Sequence, residues 1–564
     1  MGNKVAMRRC HHRGVKKALA ALLSASLVLS TPWAQAQVRL PSLGDSASED
    51  LPVGAERRLG EQIMREIKRD PAYLDDPVLL DYVRSLWRPL LQAAGARGDI
   101  GPEIEQAFSW NLFLVQDRSV NAFALPGGHV GVHLGLIAIT ATRDELAAVL
   151  AHELSHVSQR HIARSIGSAG RQGALGVAAM LLGVLVAARS RNPDAAQAAI
   201  AGGQAAMMQG QLNFSRDMER EADRIGYGVF RDAGFAAPGM AAMFEKLDQA
   251  SRLNDNGGFP YLRSHPLTSE RMAEARSRLT DPSAATGTGR DALHELMQAR
   301  ARALMDPTVD QWRRLVTQAQ SPGGAPSAAA LYAGALAAAR LGDHRTAAML
   351  SEDLVRTLSP GGAGAAGEAT EGPAPDALRS RQAAQLLVAE LALARADPSA
   401  ALTALSALTS AQRPGRPASP GTVAPTRPAA RSLLMLRSEA VLAVALKAHA
   451  QADRSQDIAL RETLEALQTW VAEHRDDATA WLLLAQASDA LGLQLRALRA
   501  QAEARAAVGD LDAAIDRLRA AQARSRTATG GPDFIEASII DTRLRELQTL
   551  RRQEMEQARS QRGP

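Results

Sequence analysis

The spacing of apolar and polar positions changes along the chain. From about residue 50 to 100 it has a helical period, which predicts helices over Gly54–Lys68 and Pro77–Ala94. Two strand-like runs follow, Trp110 to Val115 and Ala122 to His133, the second interrupted by Pro126-Gly127-Gly128. Thr142 then opens a helix. Thr142-Arg143-Asp144-Glu145 is a capping box that offers a hydroxyl and a carboxylate to the first free amides, with Leu146, Val149 and Leu150 as the stripe to be buried. Gly173 to Ala188 is apolar on every side and broken by glycines. A buried helical hairpin is the first reading there. The alternative is a surface, over 173–210, that touches a membrane or covers a site.

Beyond about residue 290 the strand signal disappears and the chain becomes Ala- and Leu-rich with a helical period. Trp481-Leu482-Leu483-Leu484-Ala485 precedes Gly492 and Ala497; Gly509 with Ala514 recurs 17 residues later; Leu331, Ala335, Gly342 and Ala347 follow the same template. Small residues where two antiparallel helices cross, with glycine at the turn, suit a helix-turn-helix repeat of about 34 residues. The fold expected is therefore an α+β domain over 37–282, mostly helical with a small sheet, followed by an all-α tetratricopeptide-like repeat domain over 283–564. Asp281 to Gly289 reads as the linker, and Pro/Gly-rich stretches near 359–376 and 410–430 as disordered insertions.

The N-terminus alters how composition is read. Lys4, Arg8, Arg9, Arg13, Lys16 and Lys17 precede an apolar run, Ala18 to Leu29, and then the small-x-small pattern Ala34-Gln35-Ala36. Residues 1–36 are expected to be a cleavable signal peptide, since the run is well short of the roughly 20 residues that span a bilayer. Its removal takes six of the 65 basic residues and none of the 60 acidic ones, leaving 59 against 60. A chain so near neutrality gives no reason to expect nucleic-acid binding. The only cysteine, Cys10, goes too, so neither disulfide nor thiol chemistry is expected.

The candidate chemistry begins at His152 and His156. Four apart on a helix, they project from one face and can bind one metal ion, with Glu153 beside them as the base for a water molecule. A third ligand is expected from the segment Asn213 to Asp223. Glu219 and Asp223 share a helical face, whereas Glu221 points about 200° away from Glu219. Glu219 is accordingly read as the ligand, Asp223 as the supporting carboxylate and Glu221 as a solvated charge.

His152-Glu153-Leu154-Ser155-His156 with Glu219-x-x-x-Asp223 resembles the zinc metallopeptidases typified by the CAAX prenyl protease and the heat-shock membrane protease. Asn121-Ala122-Phe123-Ala124 before Gly127-Gly128 resembles that family's strand, whose edge would hold an extended substrate by backbone pairing. His265-Pro266, followed by Arg271, matches a later family segment. The resemblance implies one zinc ion per subunit, held by His152, His156 and Glu219, with Glu153 and Asp223 as catalytic groups. It places His265 near the cleft as a fourth ligand or transition-state donor, with Arg271 anchoring its loop. His129, His133 and His161 are expected to be structural; His161 is read as continuing the motif helix but leaving its ligand face.

Signal peptide, soluble catalytic domain and repeats together resemble the family's periplasmic members in Gram-negative bacteria. That implies unfolded or misassembled protein substrates, outer-membrane proteins among them, and repeats that dock on outer-membrane assembly machinery. The alternative is a periplasmic chaperone or scaffold whose metal site is latent or regulatory.

Overall fold

The structure, a computed structural model, describes residues 51–169, 216–253, 260–278, 291–321, 325–359, 375–410, 430–527 and 533–561. The signal-peptide segment, the stretch 173–210, the linker at 281–289 and nearly all of both Pro/Gly-rich insertions lie outside the described residues.

The first half contains α1 (Val53–Ile67), β1 (Tyr73–Leu74), α2 (Pro77–Arg97), α3 (Pro102–Ala107), β2 (Asn111–Val115), β3 (Ala122–Leu125), β4 (His129–His133), α4 (Leu134–Ile139) and α5 (Arg143–Ser158). It continues with α6 (His161–Ala169), α7 (Arg216–Asp232), α8 (Pro238–Leu253), α9 (Pro260–Ser264) and α10 (Ser269–Ser277). The helical period locates α1 and α2 well. The Asp76 side chain caps α2 by accepting from the Leu79 amide at 2.8 Å, and Pro77 occupies the first turn, where its missing N–H costs nothing. The two strand-like runs join one small sheet of order β1-β2-β4-β3, in which β2 and β4 are parallel and both outer pairs antiparallel. The second run folds as the β3–β4 hairpin, closed by Pro126-Gly127-Gly128. β1, α3 and α4 have no counterpart in the sequence reading, because two to six residues are too few to display a period.

At the start of α5, Thr142 Oγ1 accepts from the Glu145 amide at 3.2 Å, and Glu145 Oε2 accepts from the Ala141 amide at 2.6 Å. The helix is buried from Asp144 through Ser158, not along a single stripe, because α2, α7, α8 and the sheet enclose it. Among the described residues no helix is long and apolar enough to cross a membrane.

From residue 291 the described chain is wholly helical: α11 (Ala292–Leu304), α12 (Val309–Ala319), α13 (Ala328–Arg340), α14 (His344–Thr357), α15 (Pro375–Ala394) and α16 (Pro398–Ser410). They are followed by α17 (Ala430–His449), α18 (Asp457–Glu473), α19 (Ala478–Ala490), α20 (Gln494–Ala507), α21 (Leu511–Thr527) and α22 (Phe534–Gln561). Neighbours in sequence pack on one another. Gly342, Gly492 and Gly509 close turns with φ of 78°, 77° and 76°, a region closed to most side chains. Ala335, Ala347, Ala497 and Ala514, the small residues of the template, are buried where helices cross.

All described residues belong to one compact unit, and its main apolar core runs without a break from Val53 to Ala440. Charge reinforces this continuity at the start of α2. Buried Arg300 of α11 reaches Asp76 at 2.6 Å, Glu390 at 2.9 Å and the Tyr332 hydroxyl at 3.1 Å. Arg431 of α17 forks Asp75 at 2.7 and 2.8 Å and Asp477 at 2.8 and 2.9 Å. One guanidinium thus ties the peptide before α2 to the start of α19. Removing it leaves Asp75 with the Thr479 hydroxyl and Asp477 with the Trp470 indole and Ala480 amide but no cation, so Arg431→Ala should destabilise the chain by about 2 kcal/mol. Arg431→Lys should recover only part, since an ammonium cannot make two forks. Chemical denaturation of the two full-length variants measures both effects.

Candidate metal centre

α5 carries His152 and His156 one turn apart, α7 carries Glu219 and Asp223 one turn apart, and His265 follows directly on α9. One ligand atom from each of His152, His156, Glu219 and His265 lies within 4.8 Å of all the others. His156 Nε2 is 3.0 Å from His152 Nε2, which is 3.3 Å from His265 Nδ1. Glu219 Oε1 stands 2.9 Å from His265 Nδ1 and 3.5 Å from His156 Nε2, and its Oε2 stands 3.4 Å from His152 Nε2. None of the four residues is more than 2% exposed.

These separations test whether a cation fits. Ligand bonds of about 2.0–2.1 Å in a tetrahedron place donor atoms about 3.3–3.4 Å apart, close to the distances found. Three imidazole nitrogens and a carboxylate converge on one point, and protons alone leave several acceptors facing each other. A dication satisfies them together. Glu153, fully buried, has neither carboxylate oxygen in a hydrogen bond of normal geometry. His265 Nε2 lies 3.6 Å from its Oε1, and the Ala124 amide of β3 also acts on the carboxylate.

Two interactions hold α7 in place. Arg271 of α10 forks Asp223 through Nε at 2.6 Å and Nη2 at 2.9 Å, and its Nη1 reaches Glu219 Oε2 at 2.8 Å and the Pro266 carbonyl at 2.8 Å. Asp223 Oδ1 in turn stands 3.0 Å from His152 Nδ1. The second is the close approach of α7 to α5 at Gly226, where a Cβ would meet the Ala151 carbonyl oxygen at 3.1 Å and Ser155 Oγ at 3.2 Å.

The charges follow from burial set against partners. Burial alone would lower the His152 pKa, but Asp223 and Glu219 outweigh it and hold it at about 9. Burial pushes His156 well below the ordinary histidine value. Burial would raise Glu219, yet His265 and His152 bring it well below the usual carboxylate range. Burial raises Glu153.

The structure brings together His152, Glu153, His156, Glu219, Asp223, His265 and Arg271, and sets β3, with Ala122, Phe123 and Ala124, at the sheet edge packed on α5. Asn121, just before β3, is buried with its Oδ1 lacking a hydrogen bond. His133 bonds Ser119 Oγ at 2.9 Å, and His129 opens β4 opposite Leu125; neither belongs to the cluster.

Two expectations need correction. His161 does not continue the motif helix: α5 ends at Ser158, Arg160 has a φ of 52°, and His161 begins α6 with Nδ1 2.9 Å from His156 Nδ1. Glu221 is no solvated charge. It is 20% exposed at the side chain and bonded to His161 Nε2 at 3.1 Å and Arg164 Nη1 at 2.8 Å, because α6 covers that flank of α7. Burial pushes His161 down to about 4. The sequence reading also missed Tyr261, buried and stacked on His265 with ring centres 4.7 Å apart. Its position four before His265 on a helical turn is the one signal that could have found it.

Gly226→Ala should force α7 away from α5 and misplace Glu219 and Asp223 against the histidines. Metal affinity should fall about tenfold with the helical content kept, as measured by chelator competition and circular dichroism.

Comparison with known proteins bears on the same residues. Residues 86–279, which include all seven grouped side chains, match the model of peptidase family M48. The beta-barrel assembly-enhancing protease of Escherichia coli K12 is 28% identical over 550 residues, 95% of this chain and 98% of that one. A Vibrio cholerae protein provisionally given the same name is 35% identical over 241 residues, 43% of this chain and 47%, about half, of its own length. Metalloprotease LoiP of Escherichia coli K12 is 30% identical over 175 residues, 31% of this chain and 64% of that protein. The chain carries a peptidase family M48 domain and is a metalloprotease.

Proposed function

We propose that this chain is an exported, zinc-dependent endopeptidase of the Gram-negative periplasm that cleaves misfolded or misassembled proteins, those of the outer membrane among them. The observation that carries the proposal is the convergence of His152, His156 and Glu219 beside a fully buried Glu153. A nitrogen, nitrogen, oxygen donor set at near-tetrahedral spacing suits zinc. The basic n-region and Ala34-Gln35-Ala36 support export, and the name of the Escherichia coli relative supports the substrate class. Residues 37–282 are taken as the peptidase domain. Residues 283–564 are taken as tetratricopeptide-like repeats that dock on assembly machinery.

In this reading His152 and His156 bind through Nε2, and Asp223 at His152 Nδ1 fixes that ring's tautomer. The ion, when bound, supplies Lewis acidity that polarises a carbonyl and acidifies water. Glu153 takes the proton of the attacking water and returns it to the leaving amine; burial, which raises its pKa, brings proton affinity toward the range this exchange needs. The exposed edge of β3 aligns the substrate backbone. His265 stands where access would be needed, with Nδ1 in the ligand cluster and Nε2 turned to Glu153. We assign it as a fourth ligand that holds the site latent, with Arg271 anchoring its segment. The burial of every ligand also favours a second reading, a periplasmic chaperone or scaffold whose metal site is latent.

The purified mature protein should contain one zinc ion per chain and degrade casein, and a chelator should stop it. Glu153→Gln should keep the zinc and lower the rate by about 10²–10⁴-fold. Full casein turnover in that variant rejects Glu153 as the base, while full rescue of an outer-membrane assembly defect by it favours the chaperone reading. His265→Ala should keep the zinc and raise cleavage of an unfolded substrate several-fold. A large fall in rate with zinc retained would instead make His265 a transition-state donor.

A further inference from the structure

We infer that His161, held by Glu221, is a positioning residue that fixes the tautomer of His156 and so tightens the metal site. The inference rests on the reading that His152, His156 and Glu219 hold the ion. Its starting point is the break after α5. Arg160 takes a left-handed backbone conformation, φ 52°, and its guanidinium is tied down by Glu56 at 2.9 Å and the Leu51 carbonyl at 2.5 Å. The turn reverses the chain enough to place His161, fully buried, edge-on to His156 with ring centres 4.8 Å apart.

The hydrogen bonds then allow one proton arrangement. His156 Nε2 points into the cluster, 3.0 Å from His152 Nε2 and 3.5 Å from Glu219 Oε1, so it is the ligand atom and must offer a lone pair. A neutral imidazole that ligates through Nε2 carries its proton on Nδ1. That nitrogen faces His161 Nδ1 at 2.9 Å, and two N–H groups cannot point at each other, so His161 Nδ1 accepts. The His161 proton is consequently on Nε2, which donates to Glu221 Oε2 at 3.1 Å. Arg164 Nη1, 2.8 Å from the same oxygen, orients the carboxylate. The chain from Glu221 through His161 to His156 parallels Asp223 at His152 Nδ1, so each imidazole of the motif has its outer nitrogen held from a different side of α7. Outer partners of this kind orient a ligand ring and raise its basicity.

Zinc affinity of the full mature chain, measured by competition with a chromophoric chelator, tests the inference. His161→Leu fills the space but offers no acceptor, and should weaken zinc binding by about 10–100-fold. His161→Asn places an amide oxygen near the Nδ1 position and should recover most of that loss. Glu221→Ala, at a side chain 20% exposed, should weaken binding in the same direction by less than His161→Leu, with Glu221→Gln between it and the unsubstituted protein. Melting of each metal-free variant checks that the fold is intact, and Glu221→Ala decides the matter should His161→Leu not fold. Unsubstituted affinity in both His161→Leu and Glu221→Ala overturns the inference. So does an equal loss in His161→Leu and His161→Asn, which would mean that shape matters and the acceptor does not. If the unsubstituted chain itself failed to hold zinc, the metal-site reading would fall, and the inference with it.

Discussion

Two carboxylates on one face of α7, Glu219 and Asp223, are buried at 2% and 3% exposure, and the surrounding structure depends on keeping them charged there. An unpaired buried carboxylate costs several kcal/mol. Arg271 meets most of that cost, because it forks Asp223 and reaches Glu219 with its remaining nitrogen. The same guanidinium bonds the Pro266 carbonyl, so the segment that begins at His265 is fixed relative to α7. On the opposite side Asp223 meets His152 Nδ1. α5, α7 and α10 are thus joined by one network of charge, and the ligand cluster forms where it closes. Apolar packing brings these helices together, but the ion pairs decide their rotation, since a helix turned by one residue would leave a carboxylate without a partner.

That dependence explains which parts of the site were legible in the sequence. His152 and His156 follow from spacing on a helix whose start, Thr142, is marked by its own capping chemistry. Glu219 and Asp223 follow from their shared face. Glu221 and His161 did not, and for one reason. Helical phase says which residues share a face but not how many faces are covered. α7 packs on α5 and α2, side chains of α6 meet a further flank of it, and α6 starts where it does because the left-handed Arg160 breaks the helix after α5. A left-handed arginine leaves no mark in a sequence, whereas a glycine would. Its conformation is held by Glu56 and Leu51, more than a hundred residues earlier. α5 was misjudged in the same sense: a stripe of three residues was expected, while the central helix of a bundle is buried all round.

The change of period near residue 290 marks a change of architecture, from a mixed sheet-and-helix region to helices alone, but not a gap in the core. Asp75 and Asp76 lie just before α2, and each is claimed by an arginine from the helical region, Arg431 and Arg300 respectively. Asp76 also caps α2. The first turn of a helix that packs directly on α5 therefore depends on side chains more than two hundred residues away. Helical regions of this kind are often regarded as detachable docking modules. Here the apolar core continues through them to Ala440, and truncation near 283 would expose buried leucines and take from two aspartates their arginine partners.

The same closure sets the terms for any reaction at the cluster. Glu153 is fully buried and His265 lies against it, with Tyr261 stacked behind. On the proposed reading, a peptide aligned along β3 would reach Glu153 only if His265 gave way. It is restrained on both sides: the Tyr261 amide donates to the Val120 carbonyl at 3.3 Å, and Arg271, which grips Asp223 at 2.6 and 2.9 Å, also holds the Pro266 carbonyl at 2.8 Å. For the imidazole to leave while the Arg271 fork stayed in place, the backbone would have to yield between α9 and Pro266, whose carbonyl the same guanidinium holds at 2.8 Å. Glu219 would keep Arg271 as a partner, so such an opening would not leave its charge unpaired. What opening does cost is the His265 contact with the cluster and the burial of the Tyr261 ring. A bound substrate or a docked partner has to make up that difference, and one that interacts equally with the closed and open arrangements cannot.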